Sequence, residues 1–427
     1  MNAKPHASAA QANLALPRPT DLLFMVSIVE LFIGGGGRLT ELGPLPLRMI
    51  LFAICLMVSV LLAVLRPHRL KQQALPLLLV AVYLLVHLPA LIHGLMLGND
   101  PPTIMTELQQ SLFWLIAPFF AHVLCTPAMV VRAALLTLAS SIFLAVAYLL
   151  MLLAQLTVIP DPVNFYLMTL GGSPEFALRG GGLFFYKGFL YLGIGLVFLV
   201  TLRLRHWRLL AALVCIALAL TLTRGFILST GIAVGLALAS QRRWKPLLLA
   251  LGMFSIVAFV FLIYLPSVDE DIAGQRERSN ATRLEDMAFM LDNTTVQTVL
   301  VGEGFGSPVN ERAMIENTFM WAFWRMGLAG VAFWLMPLVL CGIYFGRVRR
   351  NDQQHALASS FFHSTVLIYI QTITNPYLNN PIGLSFVIVS IFALRTLSQR
   401  PSSISISLTS PRSRTAMIIT TQQVGSP

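Results

Sequence analysis

A chain of 427 residues that is 56% hydrophobic and only 11% charged, with a mean hydropathy of +0.77, is too apolar for a soluble globular domain, where about 25% of residues are charged. The formal net charge of +11 does not mark a nucleic-acid-binding protein, because the basic residues are divided among short loops and not gathered on one soluble face. The four cysteines, Cys55, Cys125, Cys215 and Cys341, lie within or at the ends of apolar runs without CxxC spacing or a nearby His cluster, so neither disulfides nor a zinc site is expected, and the sequence calls for no cofactor and no metal.

Cut into spans of roughly 20 apolar residues, the chain reads as an all-α polytopic membrane protein with about twelve transmembrane helices. Residues 1–20 form an Ala- and Pro-rich tail without a small-residue cleavage site, ahead of a transmembrane domain over 21–395. The first span, Asp21 to Ile33, contains Glu30 and runs into Gly34 to Gly37. That glycine run lacks the Lys-Ser/Thr that completes a phosphate loop, so it reads as a flexible outer turn. Spans follow at Leu47 to Leu65, Leu75 to Leu97, Leu112 to Leu124 and Ala133 to Val158, the third carrying His87 and His93. An ionisable group in a span is a functional candidate, although a histidine can also tie two helices together; His93, near the outer end, is the candidate of the two.

The second outer loop, Ile159 to Gly182, ends in Leu178-Arg179-Gly-Gly-Gly182, and the next span has Tyr186 and Lys187 in its first turns. Lys187 can snorkel to the interface with no other purpose, whereas Arg179 beside three glycines points to binding. Two short spans, Leu209 to Leu222 and Phe226 to Ser240, are hinged on Thr223-Arg224-Gly225. Burying Arg224 in lipid would cost a few kcal/mol, so it must sit at an interface or meet an anion or a polar cavity.

Span nine, Pro246 to Leu265, leads into the long polar segment of the chain, Pro266 to Asn317. This segment holds Asp269, Glu270 and Asp271, then Arg276, Arg278 and Arg283, and closes with Gly302-Glu303-Gly-Phe-Gly306 before Glu316 and Asn317. A connector longer than roughly 15 residues usually has a purpose. Thr282-Arg-Leu-Glu285 has capping-box spacing, and Leu284, Met287, Ala288 and Leu291 then fall on one helical face, which predicts a short amphipathic helix on the outer membrane surface. Span ten, Thr318 to Tyr344, carries Arg325 with Trp321 one turn before it, a spacing that cation-π contact alone would explain. The last spans, Ala356 to Thr372 and Gly383 to Leu394, flank the outer turn Asn375 to Pro381, and 396–427 reads as a cytoplasmic tail, disordered from Ser402.

Charge sets the orientation. Arg66, Arg69 and Lys71; Arg203, Arg205 and Arg208; Arg242, Arg243 and Lys245; and Arg347, Arg349 and Arg350 mark inner loops under the positive-inside rule. Asp100, Glu107, Asp161, Glu175 and the carboxylates of the long loop then fall outside, with both termini cytoplasmic. On the outer side this gathers Arg179, Lys187, Arg224, Arg276, Arg278, Arg283 and Arg325, with Glu303 and Glu316 as acids. Guanidinium groups grip phosphate oxygens bidentately at any working pH, so this pattern suits a lipid-linked pyrophosphate. Arginines would stabilise charge on a departing pyrophosphate while a carboxylate takes the proton of an incoming sugar hydroxyl, which is glycosyl transfer without a metal.

Thr223-Arg224-Gly225, Arg179 to Gly182, and Arg283…Gly302-Glu-Gly-Phe-Gly306…Glu316-Asn317…Gly327-Leu-Ala-Gly330 resemble, in this order, the elements of the Wzy polymerase and O-antigen ligase family. The resemblance covers roughly Asp21 to Leu394 and implies a glycosyltransferase C-like membrane fold with the long outer loop between spans 9 and 10. It also implies an undecaprenyl-pyrophosphate-linked oligosaccharide as substrate, gripped by Arg179, Arg224 and Arg283. Glu316 stands where ligases carry a histidine, which favours a polymerase, of the exopolysaccharide (xanthan) type, over a ligase. Catalysis is expected of Glu316, Arg224 and Arg283, and substrate binding of Arg179, Lys187, Arg276, Arg278, Arg325, Glu303 and His93. The expected setting is the bacterial inner membrane, with membrane lipid, a flippase and chain-length or export proteins as partners and no nucleic acid. The rival readings are an O-antigen-type ligase and a repeat-unit transporter or flippase, and transporters usually show two comparable halves that this chain lacks.

Overall fold

With no water inside a bilayer to satisfy the backbone, a spanning chain must pair its amides internally. The computed structural model describes residues 18–34, 41–42, 45–65, 74–158, 161, 164, 176–178, 183–259, 270–310, 312, 315–348, 352–399, 403–407 and 418–422. In chain order the helices are α1 (Pro19–Ile33), α2 (Leu47–Leu65), α3 (Ala74–Met96), α4 (Pro101–Ser111), α5 (Ala117–Val123), α6 (Pro127–Thr157), α7 (Leu190–Leu202), α8 (Trp207–Leu220), α9 (Arg224–Ser240), α10 (Trp244–Phe259), α11 (Glu270–Asn293), α12 (Val296–Leu300), α13 (Thr318–Arg347), α14 (Asp352–Gln371) and α15 (Pro381–Gln399). Five of them, α2, α3, α6, α13 and α15, are long and apolar enough to cross a membrane, and α7, α8 and α9 are shorter apolar helices. The protein is an all-α, multi-pass membrane protein, apart from short antiparallel pairs such as Phe176–Leu178 with Phe184–Tyr186.

The bundle is organised around α7, which is almost wholly buried and packs against α6, α8, α9 and α14. Small residues permit the close approach. A methyl group on Gly195 would fall 1.9 Å from the Ser141 hydroxyl of α6, and one on Gly193 would fall 2.4 Å from the Thr230 hydroxyl of α9. Such small-residue contacts replace the hydrophobic drive that lipid cannot supply between helices.

Several expectations are corrected in detail. The fourth span is not one helix: Leu112–Ile116 is a 3-10 turn and α5 has only seven residues. Pro118 near its start lacks the amide that a continuous helix would use. Thr282 does not start a helix; α11 is already helical from Glu270, because the segment has no proline and its single glycine, Gly274, costs only about 1 kcal/mol, and the capping-box residues lie in its interior. Span ten bends at Gly327, whose φ of 63° interrupts α13. In the tail, Ser403–Ser407 pairs antiparallel with Ile418–Gln422, consistent with the strict Ser-Ile alternation of the first segment.

Candidate active site

The element Thr223-Arg224-Gly225 breaks two apolar helices apart. Leu222 has φ of 50°, Thr223 is extended, and Arg224 is the first residue of α9. Its guanidinium is thus delivered to the end of the helix pair, where Nη2 donates to Oδ1 of Asn280 on α11 at 2.6 Å. One turn along α11, Arg283 donates from Nε and Nη2 to Oε2 of Glu316 at 2.8 and 2.7 Å. Nη2 of Arg283 also donates to the carbonyl of Thr374 at 3.2 Å. The long polar segment therefore folds back over the bundle and sets Arg283 beside the hinge arginine.

Arg224, Asn280, Arg283 and Thr374 form one end of a groove of about 690 Å³. The remaining walls come from α9, through Ile227, Leu228, Ile232 and Leu236, and from α10, through Leu247 and Phe254. Gly231 lets Phe254 close against α9, since a methyl group there would fall 2.8 Å from the ring. An apolar trough that ends on two guanidinium groups fits an amphiphile with an anionic head.

On the other side of the Arg283–Glu316 pair lies a second cavity of about 470 Å³, whose lining mixes polar side chains with the apolar surfaces of Phe185, Trp321 and Tyr377. Glu316 and Lys187 line it with one face of α4 (Thr103, Thr106, Glu107, Gln110) and with the turn Asn375, Asn379 and Asn380. One wall is pinned by a buried carboxylate. Glu107 accepts from Nε and Nη2 of Arg325 at 2.8 and 2.7 Å, from Nε1 of Trp321 at 3.0 Å and from the amide of Gly306 at 2.9 Å. Arg325 also donates to the carbonyl and hydroxyl of Ser307. The glycine turn is thereby threaded between α3 and α13. Gly302, Gly304 and Gly306 all have φ between 76° and 79°, and a methyl group on Gly304 would fall 2.4 Å from the amide of Gly94.

Of the expected site residues, Arg224, Arg283 and Glu316 are brought together, and Lys187 joins Glu316 in the second cavity. Arg325 is corrected: it is fully buried and committed to Glu107, so it supports the site without facing it. Trp321 shares that carboxylate with it by a hydrogen bond. Glu303 accepts from the Thr298 hydroxyl, and His93 lies within hydrogen-bond reach of Gln297; neither lines the two cavities. Arg278 is exposed on α11 and donates to the carbonyl of Gly274, Arg276 belongs to the same helix, and Arg179 lies outside the described residues. Close to the central pair, burial pushes the Asp286 carboxyl up from its ordinary value, Arg312 at 3.0 Å offsets part of the rise, and the charge of Glu316 adds to it. The sequence reading missed Asn280, Thr374, Glu107 and Gln110. The polar face of α4 was visible as Thr103, Thr106, Glu107 and Gln110 at helical spacing, but nothing local said that it faces Glu316.

No family model matches the chain. An O-antigen polymerase of Shigella flexneri is 29% identical over 399 residues, covering 90% of this chain and 96% of that protein. The similarity to that O-antigen polymerase runs along nearly the whole length of both chains, in keeping with the resemblance carried by the motifs.

Proposed function

We propose that the protein polymerises undecaprenyl-pyrophosphate-linked oligosaccharide repeat units at the periplasmic face of the bacterial inner membrane, in exopolysaccharide biosynthesis. The observation that carries this reading is the apolar groove ending on Arg224 and Arg283, next to a second cavity across the Arg283–Glu316 pair. The polyprenyl chain of the donor lies along α9 and α10 with its pyrophosphate on the two arginines. The similarity to an O-antigen polymerase supports the same class of substrate.

In the reaction, a hydroxyl oxygen of the acceptor sugar attacks the anomeric carbon of the donor glycan. The bond from that carbon to the pyrophosphate oxygen breaks, its electron pair stays on the pyrophosphate, and the hydroxyl proton passes to Glu316. Arg224 and Arg283 are fixed where the negative charge grows, so they bind the transition state more strongly than the ground state, and no metal is needed for that task. Glu316 is held by Arg283 before substrate arrives. A pyrophosphate on Arg283 competes for the same guanidinium and frees the carboxylate to act as base, which makes donor binding a condition of proton transfer.

Reconstitution tests the reading. Protein in liposomes with its lipid-linked repeat unit should yield a ladder of lengths, and Arg224→Ala should abolish the ladder without loss of inserted protein. Lipid-linked repeats that cross the bilayer without being lengthened would overturn it.

A further inference from the structure

We infer that the 470 Å³ cavity beside Glu316, which combines polar and aromatic side chains, is a glycan-binding subsite that takes the neutral sugars at the acceptor's reacting end, with Gln110 and Asn380 as the residues that read them. This deepens the polymerase reading and rests on it. The first ground is unused hydrogen-bonding capacity. Among the described residues the Gln110 amide has no partner, and Asn380 uses only its carbonyl, which accepts from the amide of Ile382 at 3.1 Å. Asn379 is similar: its carbonyl accepts from the Thr318 hydroxyl at 3.3 Å, which leaves its NH₂ group for a ligand. Neutral amides of this kind pair with hydroxyl groups, which both donate and accept.

The second ground is fixed geometry. The wall that carries Glu107 is tied to α13 and the glycine turn by the buried ion pair with Arg325, and Asn379 and Asn380 are held by their carbonyls. The free NH₂ groups are therefore already oriented, and little side-chain entropy is lost when a ligand binds. Position supplies the third ground. Glu316 lines the cavity and is bonded to Arg283 at the end of the apolar groove, so a sugar seated there meets the donor's head across one ion pair. At about 470 Å³ the cavity lies within the range of small-ligand sites, roughly 300–1,000 Å³.

Two variants test this without undoing the supports. Gln110→Met keeps volume and removes the amide, while Asn380→Asp keeps the oxygen that caps Ile382 and removes the NH₂ donor. The probe is the free oligosaccharide released from the lipid-linked repeat unit by mild acid, added to purified wild-type or variant protein in nanodiscs. Binding should weaken about tenfold in each variant, as loss of one well-made hydrogen bond predicts, while binding of sugar-free undecaprenyl pyrophosphate stays at the wild-type level. Unchanged oligosaccharide binding in both variants would overturn the subsite. Equal weakening of both probes would also overturn it, as a sign of general damage. Should the wild type make polymer and Arg224→Ala fail to, while both cavity variants bind oligosaccharide and elongate normally, the polymerase reading stands and this assignment falls.

Discussion

At the scale of single residues the account rests on how two carboxylates differ. Glu316 is half-exposed, paired with Arg283 and placed at the junction of the groove and the second cavity, whereas Glu107 is buried and spends its oxygens on Arg325, Trp321 and Gly306. Their substitutions should therefore fail differently. Glu316→Gln keeps size and hydrogen bonding but cannot take the proton; elongation rate should fall roughly 10²-fold or more with inserted protein at normal abundance, and near-normal chain synthesis would remove Glu316 from the chemistry. Glu107→Gln leaves Arg325 buried without its counter-charge, at a cost of about 3–5 kcal/mol, so thermal unfolding in detergent should move down sharply. Arg224→Lys separates charge from geometry: the ammonium cannot reproduce a guanidinium fork, and polymer synthesis at wild-type rate and length would contradict the pyrophosphate grip. Arg224 stood out because a lone cation among apolar residues needs a partner, whereas Arg283 stood out by its place in the long polar segment. Arg325 misled for the reason that marked Arg224, since its partner, Glu107, is 218 positions away in the chain and no local pattern joins them.

At the scale of elements, hydropathy located several of the long apolar helices, because lipid tolerates little else, but of the helices described only five are long and apolar enough to span. Leu47–Leu65 coincides with the expected second span, and Thr318 opens α13 as the sequence suggested. The polar segment was harder. Its capping-box signal is real as a pattern but unused, because a helix already under way from Glu270 needs no cap at Thr282. The bend at Gly327 could be read only as a family glycine, yet it is set by tertiary contact: a methyl group there would fall 2.6 Å from the carbonyl of Val299. Gly327→Ala should therefore carry both a positive-φ penalty and a clash, together of order 1–3 kcal/mol or more, seen as lower yield and a lower melting temperature. The exposed face of α11, Leu284, Met287 and Leu291, lies in the same sector as Asn280, which lines the groove.

For the whole molecule, the alternation of basic and acidic loops predicts that the groove end with Arg224 and Arg283 faces away from the cytoplasm. An alkaline phosphatase fusion near Ser307 should be active and one near Arg349 inactive, and the reverse pattern would put the site on the wrong side for a periplasmic polymerase. Polymerase, flippase and ligase are separated most directly by the lipid-linked glycans of a strain that lacks this protein, resolved by length and by side of the membrane. The account predicts single repeat units accumulating on the outer side, with the ladder of longer chains gone. Repeats trapped on the cytoplasmic side, or long chains present but unattached, would contradict it.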